Sequence, residues 1–284
     1  MLSKFDYYKP KSIKEALDYL DNNDETRILA GGTDLMILLR RNAITCKHIL
    51  DIKAIPEIQR FDYKNGEGLY IGAGVNVNQI VDSEIIEEKY PALHQAAASL
   101  ASYQLRNRAT LVGNICNASP GGDLPPVLLV YDAEVHIIGP EGEKMVNIKD
   151  FFLGVKKTIL KDNEIVLGVL LPDVEEGDNS VYLKQSRLKG HDLATVGVAA
   201  RRNNENKISL AIAAVAPIPL KLTELEDVIN EKGLSNDLPD WVEGEIKKYI
   251  SPISDVRSSK EYRIHISGVL AKRALQTLIE KEVN

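Results

Sequence analysis

Two glycine-bearing loops constrain this chain more than any other feature. The first is Ile28-Leu-Ala-Gly-Gly-Thr-Asp-Leu35 and the second is Thr110-Leu-Val-Gly-Asn-Ile-Cys-Asn-Ala-Ser-Pro-Gly-Gly-Asp-Leu-Pro-Pro126. Each pairs glycines with Thr, Asn or Asp, and each follows or opens an ordered element. A backbone without Cβ atoms can approach a large anionic ligand closely and point N–H groups at it. Either Gly-Gly pair alone reads as a tight turn; two such loops in one chain suggest a dinucleotide held between them.

The order of elements supports this. Ser12-Ile-Lys-Glu15 has the form of a capping box, and the helix behind it carries Ile13, Ala16, Leu17 and Leu20 on one face. Arg27-Ile-Leu-Ala30 reads as a short buried strand, Gly31-Gly32 turns the chain, and residues 34–41 read as a helix. A further strand follows at residues 48–52. The first loop therefore lies at a strand-to-helix junction, where a helix N-terminus favours phosphate. Residues 68–74 begin a new unit, with helical stretches at 77–88 and 91–102, the second loop, and a short helix at 125–131. A hairpin is expected at 134–138 and 144–148, and a strand at 164–171. The polar, acidic stretch 172–179 is the best linker candidate. Strand-like runs follow at 181–185, 194–200 and 208–215, and an amphipathic helix over 259–281 offers Ile266, Val269, Leu270, Ala274 and Leu278 for one face.

Bulk composition narrows the function classes. The chain of 284 residues is 44% hydrophobic and 27% charged, ordinary for a globular protein, and its net charge of −6 favours neither nucleic acid nor an anionic membrane surface. No stretch approaches the ~20 apolar residues of a membrane helix, and the N-terminus has no apolar signal core; a cytoplasmic location is expected. The two cysteines, Cys46 and Cys116, are too few to ligate an iron–sulfur cluster and read as free thiols. The five histidines are scattered, and neither a nucleophile elbow nor a paired-carboxylate signature is present. Such a lack of side-chain chemistry fits a protein whose cofactor carries the reaction.

The chain resembles, nearly end to end, the FAD-binding medium subunit of the molybdenum hydroxylases, the group that includes carbon monoxide, nicotinate and bacterial xanthine dehydrogenases. The resemblance rests on Ala30-Gly-Gly-Thr-Asp-Leu35, on Thr110-Leu-Val-Gly-Asn-Ile-Cys-Asn-Ala-Ser-Pro120 with Asp123-Leu-Pro-Pro126, and on Phe151-Phe-Leu-Gly-Val-Lys-Lys-Thr158. Lys184-Gln-Ser-Arg-Leu-Lys-Gly-His-Asp-Leu-Ala194 and Glu261-Tyr-Arg263 add to it. Any one is weak; their order and spacing make the match specific. It implies an α+β protein with a two-part FAD-binding domain of the vanillyl-alcohol-oxidase (PCMH) type at residues 1–172, subdivided near 1–55 and 56–172, and a smaller α+β C-terminal domain at 180–284. It further implies that Ile28, Leu29, Ala30, Gly31, Gly32, Thr33, Asp34 and Leu35 wrap the FAD pyrophosphate, and that Thr110, Gly113 and Asn114 hold its other side and the ribose. Asp123 would hydrogen-bond the riboflavin part, Lys184 would lie near the flavin ring, and Leu100 would contact the flavin at a position aromatic in some relatives.

The residues themselves leave three of these roles open. Asp34 could serve as a helix cap, Asp123 could cap the helix that follows it, and Lys184 could be an exposed strand lysine. The second loop also departs from the family's usual Thr-x-Gly-Gly-Asn, because Val112 stands at the first glycine. A β-branched residue resists positive φ, so either this position is conformationally ordinary or the loop is shifted. The cysteine-bearing insertion of one family branch is absent, so no cluster is expected on this chain. The function the resemblance implies is electron transfer, from a 2Fe–2S small subunit through FAD to NAD or another acceptor, in a complex with a molybdopterin-binding large subunit. The competing readings are a stand-alone flavin oxidoreductase of the same fold and a flavin- or partner-binding scaffold without turnover.

Overall fold

The computed structural model describes residues 4–188 and 191–280. Lys189 and Gly190 of the motif spanning 184–194, and Lys281 at the end of the expected last helix, lie outside them.

The first layer is a small parallel sheet in the order β1-β3-β2, formed by β1 (Asp6–Tyr8), β2 (Thr26–Leu29) and β3 (His48–Asp51). Helix α1 (Ile13–Asn22) connects β1 to β2, and α2 (Leu35–Arg40) connects β2 to β3. Ser12 caps α1 by accepting from the Glu15 amide, but the Glu15 carboxylate bonds the Lys11 amide rather than that of Ser12, so the expected capping box is shifted by one residue. Strand β2 is half-buried, not buried, because it forms an edge of its sheet.

The second layer is an antiparallel sheet, β4 (Phe61–Lys64), β5 (Gly68–Gly72), β10 (Ile165–Leu171), β6 (Glu134–Gly139) and β7 (Gly142–Asn147), in that order. The expected hairpin is β6–β7, closed by a Gly139–Gly142 pairing. A two-stranded ribbon, β8 (Phe152–Gly154) with β9 (Lys157–Thr158), precedes β10. Between β5 and β6 the chain makes a run of short helices: α3 (Val77–Val81), α4 (Glu84–Lys89), α5 (Pro91–Ser99), α6 (Tyr103–Arg106), α7 (Leu111–Cys116) and α8 (Pro125–Val130). The helix expected over 77–88 is two helices, broken where Ser83 is extended.

The C-terminal part is a sheet in the order β11 (Asn179–Gln185), β12 (Val196–Arg202), β13 (Ile208–Ala213) and β14 (Leu220–Lys221), with helices α9 (Thr223–Lys232), α10 (Leu238–Glu245) and α11 (Lys260–Glu280). Alternation along its strands sorts two cores. Val181, Val198, Leu210 and Ile212 join the α11 side, where Ile266, Leu270, Ala274 and Leu278 are buried and Val269 is half-buried. Tyr182, Ala199 and Ala211 join the core of the N-terminal layers. The alanines on that second face let α5 pack on β11 and α8 pack on β12 and β13, which explains why α8 is buried throughout.

The expected linker is anchored rather than free. Asp173 accepts from the Tyr63 hydroxyl at 2.7 Å and the Gly66 amide at 2.5 Å, and Asp178 pairs with Arg201 at 3.0 Å.

Candidate dinucleotide site

The first glycine loop rides directly on the chain that leads into the second. A Cβ on Gly31 would stand 2.1 Å from the carbonyl oxygen of Arg108 and 3.0 Å from the Cα of Ala109, so only glycine permits this approach. Gly32 has φ +75°, which swings the chain into α2. The turn is braced from below: Lys53 donates to the Ala30 carbonyl at 3.1 Å and pairs with Asp51 at 2.7 Å, and Asp51 also accepts from the Tyr7 hydroxyl at 2.5 Å. Beside the loop lies a cleft of about 220 Å3, lined by Ala30, Gly31, Lys53, Gln59, Gly74, Asn76, Asn107, Arg108 and Thr110.

The second loop is partly helical. Thr110 is extended and its hydroxyl accepts from the Gly113 amide at 2.9 Å, which caps α7. Leu111, Val112 and Ile115 are buried at helical spacing, and Val112 keeps negative φ. The valine in place of the usual glycine is thus accommodated by helix and causes no backbone strain. Because the Gly113 amide already bonds Thr110, what Gly113 offers a ligand is its missing side chain. The Oδ1 of Asn114 is buried without a hydrogen-bond partner among the described residues, and it faces Gly122, where a Cβ would lie 3.2 Å away. An orphaned buried acceptor of this kind requires a donor, and the hydroxyls and ring N–H of a flavin are donors of the right type. Backbone loops, Thr hydroxyls and an orphaned amide oxygen together fit FAD.

A third element joins the two loops. The β8–β9 turn places the Lys156 amide on the Ala118 carbonyl at 3.0 Å and the Lys156 ammonium on Asn117 Oδ1 at 2.8 Å. Burial pulls the Lys156 ammonium below its ordinary value, and the charge of Asp34 opposes this. Asp34 itself makes no side-chain cap to α2, because its backbone is already helical (φ −96°, ψ −50°).

A buried polar cluster lies at the far end of the second loop. Asp123 pairs with Lys184 at 3.1 Å, the two side chains being 5% and 8% exposed, and accepts from the Tyr182 hydroxyl at 2.8 Å. Lys184 is therefore not an exposed strand lysine, and Asp123 caps no helix, since Leu124 occupies the N-cap position of α8. Burial pushes the Asp123 carboxyl up, against the pull of Lys184 and Tyr182, and burial together with the Asp123 charge pushes the Tyr182 phenol well above its usual value. Tyr182 thus remains a hydrogen-bond donor. Lys184 also donates to the Ser99 carbonyl at 3.2 Å, which puts buried Leu100 next to the cluster.

Two family descriptions match the chain. "FAD binding domain in molybdopterin dehydrogenase" covers residues 3–174, and "CO dehydrogenase flavoprotein C-terminal domain" covers 181–278. The chain belongs to this molybdenum hydroxylase flavoprotein family. Among its relatives, the flavoprotein is 33% identical to the glyceraldehyde dehydrogenase medium chain of Sulfolobus acidocaldarius over 96% of this chain and 98% of that one. It is 29% identical to a xanthine dehydrogenase FAD-binding subunit of Escherichia coli, over 96% and 95%. A solved carbon monoxide dehydrogenase of Hydrogenophaga pseudoflava, which lacks the Mo-pyranopterin moiety of its molybdenum cofactor, superposes with a TM-score of 0.92 at 30% identity, covering 97% of both chains.

Of the residues expected of the flavoprotein, Ala30, Gly31 and Thr110 line the cleft, Asn114 faces Gly122, and Asp123 and Lys184 pair in the buried cluster, with Leu100 following the Ser99 carbonyl that Lys184 bonds. Lys53, Gln59, Asn76, Asn107 and Arg108 line the cleft without having been expected there. Only Asn76 carried a legible signal, as Asn76-Val-Asn-Gln79 forms a complete capping box on α3. Cys116 is a free, half-buried thiol whose pKa burial pushes up to about 12, which disfavours the thiolate. Among the described residues no helix is long and apolar enough to cross a membrane, and no group of metal-ligating side chains occurs.

Proposed function

We propose that this chain is the FAD-bearing electron-transfer subunit of a molybdenum hydroxylase complex. It would take electrons from an iron–sulfur subunit and deliver them to NAD or another acceptor, while a molybdopterin subunit oxidises the substrate. The observation that carries this reading is the contact of the first glycine loop with the segment leading into the second, with Gly31 pressed on Arg108 and a cleft open beside Thr110. Bound FAD supplies a ring that accepts and releases electrons singly or in pairs.

The chain's own residues have three tasks. The backbone of Ile28–Leu35, with Thr33, Thr110 and Asn114, holds the diphosphate and ribose by neutral donors and acceptors, consistent with an acidic chain. Lys184 and Asp123, together with Tyr182, would hold a buried ammonium and a hydroxyl donor at the flavin end, where they would bind and orient the ring. Leu100 and α8 exclude water there. The domain division expected at 172–180 assigns the first and third tasks, together with Asp123, to the N-terminal domain and gives Lys184 and Tyr182 to the C-terminal one, so the flavin end is completed only by both.

The decisive measurement is the visible spectrum of the purified full chain, before and after incubation with FAD. Flavin absorbance with quenched fluorescence supports the reading, and its absence after reconstitution rejects it. Gentle isolation of the native protein should bring molybdenum and iron with it; metal-free material would reject the complex.

A further inference from the structure

Three successive carbonyls at the end of α5 are held by two cations from different parts of the chain. The Arg106 guanidinium donates through one Nη to the carbonyls of Ala98 and Leu100, each at 3.0 Å, and Lys184 donates to the Ser99 carbonyl between them at 3.2 Å. The last carbonyls of a helix have no partner within it, and basic side chains can fill that place. The next residue, Ala101, has φ +46°, a left-handed conformation that glycine ordinarily supplies at a helix end. The turn that carries Leu100 is therefore closed by side chains against the preference of its own backbone.

Arg106 is itself fixed. Its Nε donates to Asn78 Oδ1 at 3.0 Å, and the Asn78 amide donates to the Tyr103 carbonyl at 2.9 Å and to Asn107 Oδ1 at 2.7 Å. Asn78 is buried on α3, where the adjoining Val77 amide donates to the Ala109 carbonyl at 2.8 Å, next to Thr110. One guanidinium thus ties Leu100 to the segment that leads into the second loop. We infer that Arg106 is a positioning residue for the flavin ring. The inference rests on the FAD reading above, which puts Leu100 at the ring and Thr110 at the diphosphate, and adds the side chain that sets one against the other. Arg106 acts on the ring only through the backbone of Leu100. A lysine replaces it in part, because the planar fork reaches Asn78 and two carbonyls at once whereas an ammonium is a point charge.

The test is titration of the flavin-free full chain with FAD and with ADP, together with the visible circular dichroism of the bound flavin. Wild type is compared with Arg106→Met, Arg106→Lys and the double variant Arg106→Met with Ala101→Gly. Arg106→Met should weaken FAD by roughly tenfold, the loss of a hydrogen bond from a charged donor, and diminish the flavin dichroism, while ADP binds as to wild type. Arg106→Lys should recover part of the loss. Ala101→Gly should also restore part of it in the Met background, because glycine accepts the left-handed turn without the clamp. A cap that serves the fold alone would weaken FAD and ADP equally, or lower the melting temperature and leave the dichroism unchanged. Either result overturns the inference, as does FAD binding equal to wild type. Should Arg106→Met not fold, Arg106→Lys carries the same comparison, and its identity with wild type in FAD affinity and dichroism overturns the inference. A wild type that binds no FAD rejects the parent reading instead.

Discussion

Gly197 has no Cβ because the Tyr182 hydroxyl occupies that space: a Cβ built there would lie 2.5 Å from the phenolic oxygen. Lys184 is the strand partner of Gly197 in the register of β11 and β12. The missing side chain therefore lets Tyr182 lie across the sheet and reach Asp123 at 2.8 Å. Gly197→Ala should push the ring off the carboxylate. The expected loss is about 1–3 kcal/mol of stability from overpacking, accompanied by weaker FAD retention, read by thermal melting and by flavin content after gel filtration. Unchanged melting and flavin content would contradict this relationship.

The Asp123–Lys184 pair should respond asymmetrically to mutation. Lys184→Met leaves a buried carboxylate without its cation, and removal of one partner of a buried pair costs about 3–5 kcal/mol. The double variant Asp123→Asn with Lys184→Met should be less damaged than Lys184→Met alone. Urea denaturation of Lys184→Met, Asp123→Asn and the double variant measures this, and additive losses would show that the two groups are not coupled.

Gly31 and Gly244 make a matched comparison. Gly31→Ala drives a methyl into a backbone carbonyl at 2.1 Å, whereas a methyl on Gly244 in α10 would meet nothing within 4 Å. The first substitution should abolish FAD binding and lower the melting point. The second should be neutral or stabilise by up to about 0.5–1 kcal/mol. Differential scanning fluorimetry with and without FAD distinguishes them.

Acid should loosen the C-terminal part through Asp255. Burial alone would raise this carboxyl, but the Arg257 amide and the Arg257 and Arg263 guanidiniums outweigh it and hold the group at about 2, below its ordinary 3.8. Its stabilisation is present above the ordinary value and declines as pH falls through that range towards the folded value. Arg263 also donates to the Ala214 carbonyl at 2.7 Å, and the Ala214 amide donates to Pro120 at 2.7 Å, so the loosening reaches the second loop. Asp255→Asn should remove about 1 kcal/mol of this acid sensitivity after allowance for solvent screening, measured as the slope of urea midpoint against pH.

Glu226 predicts the opposite slope. Burial raises its carboxyl above the ordinary 4.5, opposed by the Leu210 amide that donates to it at 2.6 Å. A raised acid adds stability below the ordinary value and loses it as pH rises through the folded one. Glu226→Gln should flatten that part of the profile, while Glu226→Ala should cost about 1–3 kcal/mol by leaving the Leu210 amide unpaired. A profile identical in wild type and Glu226→Gln would refute the assignment.

Several elements are legible in the sequence because their signals are local. The face of α11, the β6–β7 hairpin and the strand-to-helix position of the first loop follow from side-chain periodicity and turn residues, which need no partner to be read. The second loop reads as irregular from its glycines, yet a Thr cap and three apolar residues at helical spacing make a helix of its first turn. The cleft residues Lys53, Gln59 and Arg108 leave no mark, since each is a single polar residue on a connecting segment and only chain crossing makes them neighbours.

The amino-acid sequence by itself determined that this chain is α+β and carries two backbone loops suited to a dinucleotide, and it shows no nucleophile-elbow or metal-ligand motif. Those properties reside in residue types and short spacings. Tertiary structure alone decided that Gly31 packs on Arg108, that Tyr182 reaches Asp123 across Gly197, and that Lys184 is buried rather than solvated. Each is a contact between segments far apart in the chain, set by steric exclusion of a single Cβ or by the desolvation of a charge, and neither is encoded in local pattern.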